Sequence, residues 1–240
     1  MSGFDRRGLM LGASALGAGA ALATARAQGM SMTPSETDVL IVVDVQNDFL
    51  PGGALAVLRG DEVIAPINAL ARRFAHVVMT QDWHTPDHVS FASRHPGKKP
   101  FETLTLPYGE QVLWPDHCVQ GTSGAAFSDK LDLPKAELVI RKGYHRDVDS
   151  YSGFVEGDRR TKTGLAGYLT ERGFRRVFVA GLATDFCVGW TAIDARSVGF
   201  ETAIVEDACR GIDTGGSLAK AMAEMTSAGV QRIAAAQITG

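Results

Sequence analysis

The chain is short of cysteine, of positive charge and of repetition, and each shortage closes off a class of protein. Three cysteines in 240 residues are too few, and too odd in number, for the disulfide framework of a small secreted domain. Lys and Arg together number 24 against 27 Asp and Glu, a net charge of −3 at pH 7. No basic surplus is left to hold nucleic acid or an anionic membrane surface. No internal period marks a solenoid or a propeller. Proline is scarce too, with nine in all, and six of those lie in residues 81–135. What remains is a chain with 45% hydrophobic residues, enough for one globular domain with a full core.

Residues 1–27 stand apart. Arg6-Arg7 precede an uncharged run over 8–25, rich in Ala, Gly and Leu, and Ala25-Arg26-Ala27 is a small-x-small cleavage pattern. This reads as a twin-arginine export signal, cut after Ala27. The expectation is a signal over 1–27, a mature domain over 28–240 and a periplasmic location. Four glycines make the run too weakly apolar for a stable membrane anchor. Removing it takes away three arginines and one aspartate, so the rest is more acidic still.

From residue 39 the pattern alternates. Val39-Leu40-Ile41-Val42-Val43 is an unbroken apolar run, as expected of a strand buried on both faces. Further strands are expected over 76–80, 137–142, 177–180, 201–205 and 230–235. Helices are expected over 61–74, 163–172, 185–198 and 217–228. Such alternation predicts one domain built on a parallel sheet with helices on both faces. Residues 81–135 read as one long loop. It holds four of the six histidines, and long loops in compact domains are commonly functional.

Three of these strands lead into chargeable groups. Asp44 follows the first, Lys142 ends the third, and Cys187 follows the fourth within Gly181-Leu182-Ala183-Thr184-Asp185-Phe186-Cys187-Val188. Parallel strands bring their C-terminal ends to one edge, so an acid, an ammonium and a thiol can meet there. Thr184 or Asp185 is the expected N-cap, which places Cys187 in the first helical turn. The unpaired N–H groups of that turn and a nearby lysine both favour a thiolate. A carboxylate in reach can take the thiol proton and later return it to a leaving group. Taken singly, each residue has a plainer role: a strand-end cap, a solvated end, core filler.

The long loop supplies a second set. Asp82-Trp83-His84 offers two ligands directly after a strand, His88 follows, and Trp114-Pro115-Asp116-His117-Cys118 adds a remote histidine. Two histidines and a carboxylate are a usual set for a divalent metal, with positions left for water or substrate.

Together with Val43-Asp44-Val45-Gln46-Asn47-Asp48-Phe49, Arg141-Lys142-Gly143 and Asp149-Ser150-Tyr151-Ser152-Gly153-Phe154, these strings resemble the nicotinamidase/pyrazinamidase branch of the isochorismatase-like cysteine hydrolases. The resemblance runs in order over nearly all of residues 28–240. It implies a single three-layer α/β/α domain with a six-stranded parallel sheet, and a catalytic triad of Asp44, Lys142 and Cys187. It implies one divalent metal, zinc foremost with iron or manganese as alternatives, on Asp82, His84 and His117, with His88 as a further candidate. Phe49, Trp114 and Tyr151 would hold the substrate ring. The Leu182–Ala183 bond matches a cis peptide of that family, with the N–H groups of Ala183 and Cys187 as the oxyanion hole. The implied reaction converts nicotinamide to nicotinate and ammonia through a thioester, with pyrazinamide also accepted. Two other readings stay open. One is a cysteine amidase acting on another amide, such as an N-carbamoyl compound, with no need of metal. The other is a non-catalytic periplasmic protein that binds metal or nicotinamide. The small-molecule substrate is the one partner implied, and the oligomeric state is left open.

Overall fold

The computed structural model describes residues 31–240; the expected signal over 1–27 lies outside them. Eight strands and four α-helices follow in order: β1 (Asp38–Val43), α1 (Ile64–Ala71), β2 (His76–Asp82), β3 (Thr103–Leu106), β4 (Gly109–Val112), β5 (Ala136–Lys142), α2 (Leu165–Glu171), β6 (Arg176–Leu182), α3 (Gly189–Ser197), β7 (Glu201–Arg210), α4 (Ser217–Ser227) and β8 (Gln231–Ile233). Six of the strands form one sheet in the order β5-β2-β1-β6-β7-β8, with every pairing parallel. Among the described residues no helix is long and apolar enough to cross a membrane.

The apolar runs explain the middle of the sheet. Every residue of β1 is buried, and so are the last six of both β2 and β6. Side chains on a strand alternate between faces, so a continuous apolar run fits only where helices cover both sides. At the β5 edge the run breaks into alternation, with inner residues half-buried and outer ones exposed. The chain begins in the centre at β1. It winds outward to β2 and β5, then returns to the other side of β1 as β6. The order therefore reverses between β1 and β6, and a crevice opens beyond their C-terminal ends, where open α/β sheets take their ligands.

Several boundaries differ from the expectation. The helix expected over 61–74 is split into a tight 3₁₀ turn, Gly60–Val63, and the shorter α1. β7 continues past residue 205 to Arg210, through a register shift opposite Val179 to Gly181. Within 81–135, β3 and β4 form an antiparallel hairpin around Pro107-Tyr108. Four-residue strands with one short turn give too brief a period to stand out. At the back of the sheet Met32 bridges to Ile238. There Met32 N–H donates to Gln237 O at 2.8 Å, and Thr239 N–H to Met32 O at 2.9 Å.

Candidate active site

Three strand ends and one helix start meet at the crevice. Asp44 follows β1 with φ of 48°, in the left-handed region that Asp enters more readily than most residues. Its carboxylate is fully buried. Oδ1 accepts a 2.6 Å hydrogen bond from Thr80 Oγ1, and Oδ2 lies 2.7 Å from Lys142 Nζ. That second contact is an ion pair and gives Oδ2 no well-directed hydrogen bond, so Oδ2 keeps acceptor capacity. Lys142, the last residue of β5, is also fully buried. Its Nζ meets Asp82 Oδ1 as well, donates to Ser150 O at 3.2 Å and lies 3.3 Å from Cys187 Sγ. Carboxylate oxygens of Asp44 and Asp82 and the Cys187 sulfur all fall within 4.8 Å of one another.

Cys187 is reached by a route that differs from the expected one. The helix start is a π-type turn, Thr184–Val188, that runs on into α3, and its N-cap is Ala183 rather than Thr184 or Asp185. Phe186 N–H and Val188 N–H both donate to Ala183 O at 3.1 Å. The Asp185 carboxylate turns away to the segment after β7. There Oδ1 accepts from Ile212 N–H at 2.9 Å, and Oδ2 accepts from Asp213 N–H at 2.8 Å and Ser217 Oγ at 2.5 Å. The placement of Cys187 in the first turn holds. The Leu182–Ala183 peptide is cis.

Burial dominates the electrostatics. It pushes the Cys187 thiol well up from its ordinary value, and the Lys142 charge opposes this without overcoming it. Burial thus works against the thiolate that the lysine and the helix start alone favour. Burial likewise raises Asp44 against the pull of Lys142, with the Asp82 charge adding to the rise. Burial works against the charge of Lys142 too, but Asp44 and Asp82 outweigh it and hold the ammonium protonated far into alkali. Asp82 resists burial through Lys142 and His84 and stays well below the usual carboxylate range.

The second set gathers around Asp82. His84 Nδ1 lies 2.8 Å from Gly143 O, and His117 Nδ1 lies 2.8 Å from Pro115 O. A carbonyl only accepts, so each Nδ1 carries a hydrogen, and in the neutral ring Nε2 keeps its lone pair. Burial opposes a charge on His84, but the charge and hydrogen bond of Asp82 outweigh it and raise its pKa. Those two Nε2 atoms stand 3.6 Å and 3.8 Å from Asp82 Oδ2. Backbone carbonyls that fix the tautomer in this way are the usual outer support of metal-binding histidines. Burial holds His117 down to about 4, so it is neutral, as a ligand must be. Asp44 and Asp82 also share one lysine, which leaves a negative charge over that a divalent cation would balance. The donor set therefore fits a metal of the zinc, iron or manganese kind. His88 is placed differently. Its Nδ1 lies 2.7 Å from Ser90 Oγ and its Nε2 lies 3.2 Å from Val148 O. Its ring lies tilted by 34° against His84, with centroids 4.2 Å apart, within a group formed with His84 and Asp149.

Between the two sets lies a small, partly open cavity. Asp82, His84 and His117 line one side and Ala183 and Cys187 another, with Phe49, Trp114 and Tyr151 as aromatic walls. All the expected residues except Asp44, Lys142 and His88 thus line one cavity, and those three sit directly behind it. Sequence reasoning gave no role to Thr80, Gln46, Phe186 or Ile212. Gln46 pins Asp82 from both sides, its Nε2 donating to Asp82 O and its Oε1 accepting from Asp82 N–H, each at 2.8 Å. Leu55, Asp149, Phe186 and Ile212 complete the cavity wall. A signal existed for Gln46, two residues beyond Asp44 at a strand end. Thr80 could be found only once the β1–β2 register was known.

Comparison with known proteins agrees with this geometry. The family model described as Isochorismatase domain matches residues 38–237, and the chain belongs to that family. A nicotinamidase of Acinetobacter baylyi is 56% identical over 209 residues, covering 87% of this chain and 98% of the relative. Among solved structures, a nicotinamidase/pyrazinamidase of Acinetobacter baumanii superposes with a TM-score of 0.84 at 56% identity, covering 84% of this chain and 98% of that one. A pyrazinamidase of Pyrococcus horikoshii in complex with zinc gives a TM-score of 0.68 at 38% identity, covering 82% and 99%.

Proposed function

We propose that this chain is a metal-dependent nicotinamidase that hydrolyses nicotinamide to nicotinate and ammonia, and pyrazinamide likewise. The observation that carries the reading is Lys142, which ties Asp44, Asp82 and Cys187 together behind the cavity. The names of the relatives support the substrate. Asp82, His84 and His117 would hold one divalent metal ion, zinc foremost, which when bound offers a Lewis acid for the ring nitrogen. Phe49, Trp114 and Tyr151 enclose the flat ring and set the carboxamide against Cys187.

In this reading Asp44 takes the Cys187 thiol proton as the substrate arrives, and the sulfur attacks the carboxamide carbon. The raised basicity of buried Asp44 suits it to that transfer. The N–H groups of Ala183 and Cys187 receive the developing oxyanion; donors of this kind contribute about 3 kcal/mol each in the transition state. Asp44 returns the proton to the amide nitrogen, the C–N bond breaks and ammonia leaves a thioester on Cys187. Water, giving its proton to Asp44, then hydrolyses the thioester to nicotinate and the free thiol. Lys142 stays charged throughout and steadies the thiolate and the carboxylates. Ammonia release from nicotinamide by purified protein tests the activity, and mass spectrometry during turnover tests the acyl adduct. Wild-type turnover by Cys187→Ala would sink the mechanism. Unchanged turnover after complete metal removal would shift the reading to an amidase of another substrate class.

Export is a separate part of the proposal and rests on residues 1–27 alone. The arginine pair, uncharged run and Ala25-Arg26-Ala27 pattern support a twin-arginine signal and a periplasmic mature domain over 28–240. Cell fractionation that recovers only uncut chain in the cytoplasm would rule this out.

A further inference from the structure

Trp114 and Tyr151 are tied to a part of the chain that the proposed chemistry does not use. The β3–β4 hairpin carries Tyr108 in its turn and Gln111 on its second strand. Gln111 is only 2% exposed. Its Nε2, with two hydrogens to give, donates to Asp149 Oδ2 and Val112 O at 2.7 Å and lies 3.1 Å from Tyr151 OH. Its Oε1 accepts from Tyr108 OH at 3.0 Å. With both ends engaged, the amide has one orientation, and its network is locked as a unit. Trp114 Nε1 donates to the same Tyr151 oxygen at 3.1 Å. That oxygen is therefore held between the Trp114 and Gln111 nitrogens, each 3.1 Å away.

Ahead of the hairpin stands Phe101, with φ of 72°. A bulky residue in that region is a true outlier, held at a cost in backbone strain. Phe101 is also 49% exposed, so burial of its ring offsets little of that cost. The ring packs edge-on against Trp114, with centroids 5.9 Å apart at 87°. Phe101 N–H donates to Leu113 O at 2.6 Å, which fixes the ring beside the residue just before Trp114. A glycine would relieve the backbone but lose the contact.

We propose that the segment from Phe101 to Gln111 is a positioning element for the ring-binding wall. Gln111 sets Tyr151, Phe101 sets Trp114, and the two together set the affinity for a flat heteroaromatic amide without touching the reacting atoms. The inference rests on the reading that Trp114 and Tyr151 hold the substrate ring. It goes beyond that reading in naming two specificity-setting residues outside the cavity.

Steady-state kinetics on the metal-replete protein test it, with wild type, Gln111→Met, Phe101→Gly and Tyr108→Phe measured on nicotinamide and thermal melts run alongside. Losing the Gln111 bonds is expected to raise KM about tenfold with kcat within about twofold of wild type. Tyr108→Phe, which frees only one end of the amide, is expected to raise KM about threefold. Phe101→Gly is expected to raise KM about threefold while its Tm stays level or rises, because glycine adopts this φ freely. A general loss of structure would lower Tm and kcat together and would not give this split. Wild-type protein that releases no ammonia from nicotinamide would overturn the functional reading itself. Wild-type turnover with unchanged KM in Gln111→Met and Phe101→Gly would overturn the positioning role alone, as would a fall in kcat at constant KM. If Gln111→Met does not fold, Phe101→Gly and Tyr108→Phe decide the question on the same KM-against-kcat split.

Discussion

The two walls of the cavity are built on different principles. On the Cys187 side, Asp44, Lys142 and Asp82 are one another's polar partners, and strand ends deliver all three. On the histidine side, His84 and His117 are oriented by main-chain carbonyls of Gly143 and Pro115. The first wall is a cluster of buried charges, in which removing one member strands the others. The second depends on backbone shape, in which a displaced loop turns a ligand without altering any charge. Asp82 belongs to both, facing Lys142 with one oxygen and the histidines with the other. One carboxylate thus stands where the two walls join.

Breaking the charge cluster should have the largest effect. Lys142→Met leaves two buried carboxylates facing each other, and is expected to cost about 3–5 kcal/mol of stability. Turnover should fall on the order of 10³-fold or more, read by denaturant melts and ammonia release. Breaking the other wall requires a backbone change. Gly143 has φ of +65°, and an added Cβ would sit 2.5 Å from His84 Cε1. Gly143→Ala is therefore expected to weaken metal affinity about 10–100-fold, measured by competition with a chelator, while Cys187 keeps its wild-type alkylation rate. Equal loss of thiol reactivity would mean that the walls are not separable.

A finer cut is Thr80→Val, which removes the one hydrogen bond to Asp44 Oδ1. Leaving that oxygen unsatisfied costs about 1–3 kcal/mol, so kcat should fall about tenfold with metal content unchanged. The smallest effect concerns His88 and pH. Burial, with the His84 charge beside it, holds His88 at about 4 against 6.5 in an unfolded chain. The folded state then binds fewer protons than the unfolded state between those values, so stability rises with pH across this window. The contribution is full above about pH 6.5 and is lost as pH falls toward 4. His88→Asn should flatten that acid loss by about 1–2 kcal/mol and leave metal content at the wild-type level. Denaturant midpoints at pH 7 and 4.5 measure it.

The parallel sheet was legible because its central strands are buried on both faces, and a continuous apolar run such as Val39-Leu40-Ile41-Val42-Val43 suits few places besides the middle of such a sheet. The residues that leave those strands were legible for the same reason. Asp44, Lys142 and Cys187 stand where a run of aliphatics gives way to chemistry, and parallel topology brings such points together. Thr80, Gln111 and Ile212 were not legible. Thr80 lies inside a strand and looks like any β-branched filler. Gln111 sits on a four-residue strand whose pairing no periodicity announces. Ile212 becomes a cavity wall only because Asp185 reaches across to hold its backbone. The direction of the Cys187 shift was also hidden, since a linear sequence shows the neighbouring lysine but not the depth at which both are buried.

The seam between Met32 and residues 237–239 has a consequence for how this chain could be rebuilt. The two ends of the described structure meet at the back of the sheet, near the end of α1, where Arg73 Nη1 also holds Ile238 O at 2.5 Å. The cavity opens at the opposite edge. A short linker could therefore join the ends covalently, and new termini could be opened elsewhere on the surface, such as the exposed turn at Gly199 after α3. Such a circular permutant should keep the catalytic wall intact, because every strand that builds it would still run in the same direction.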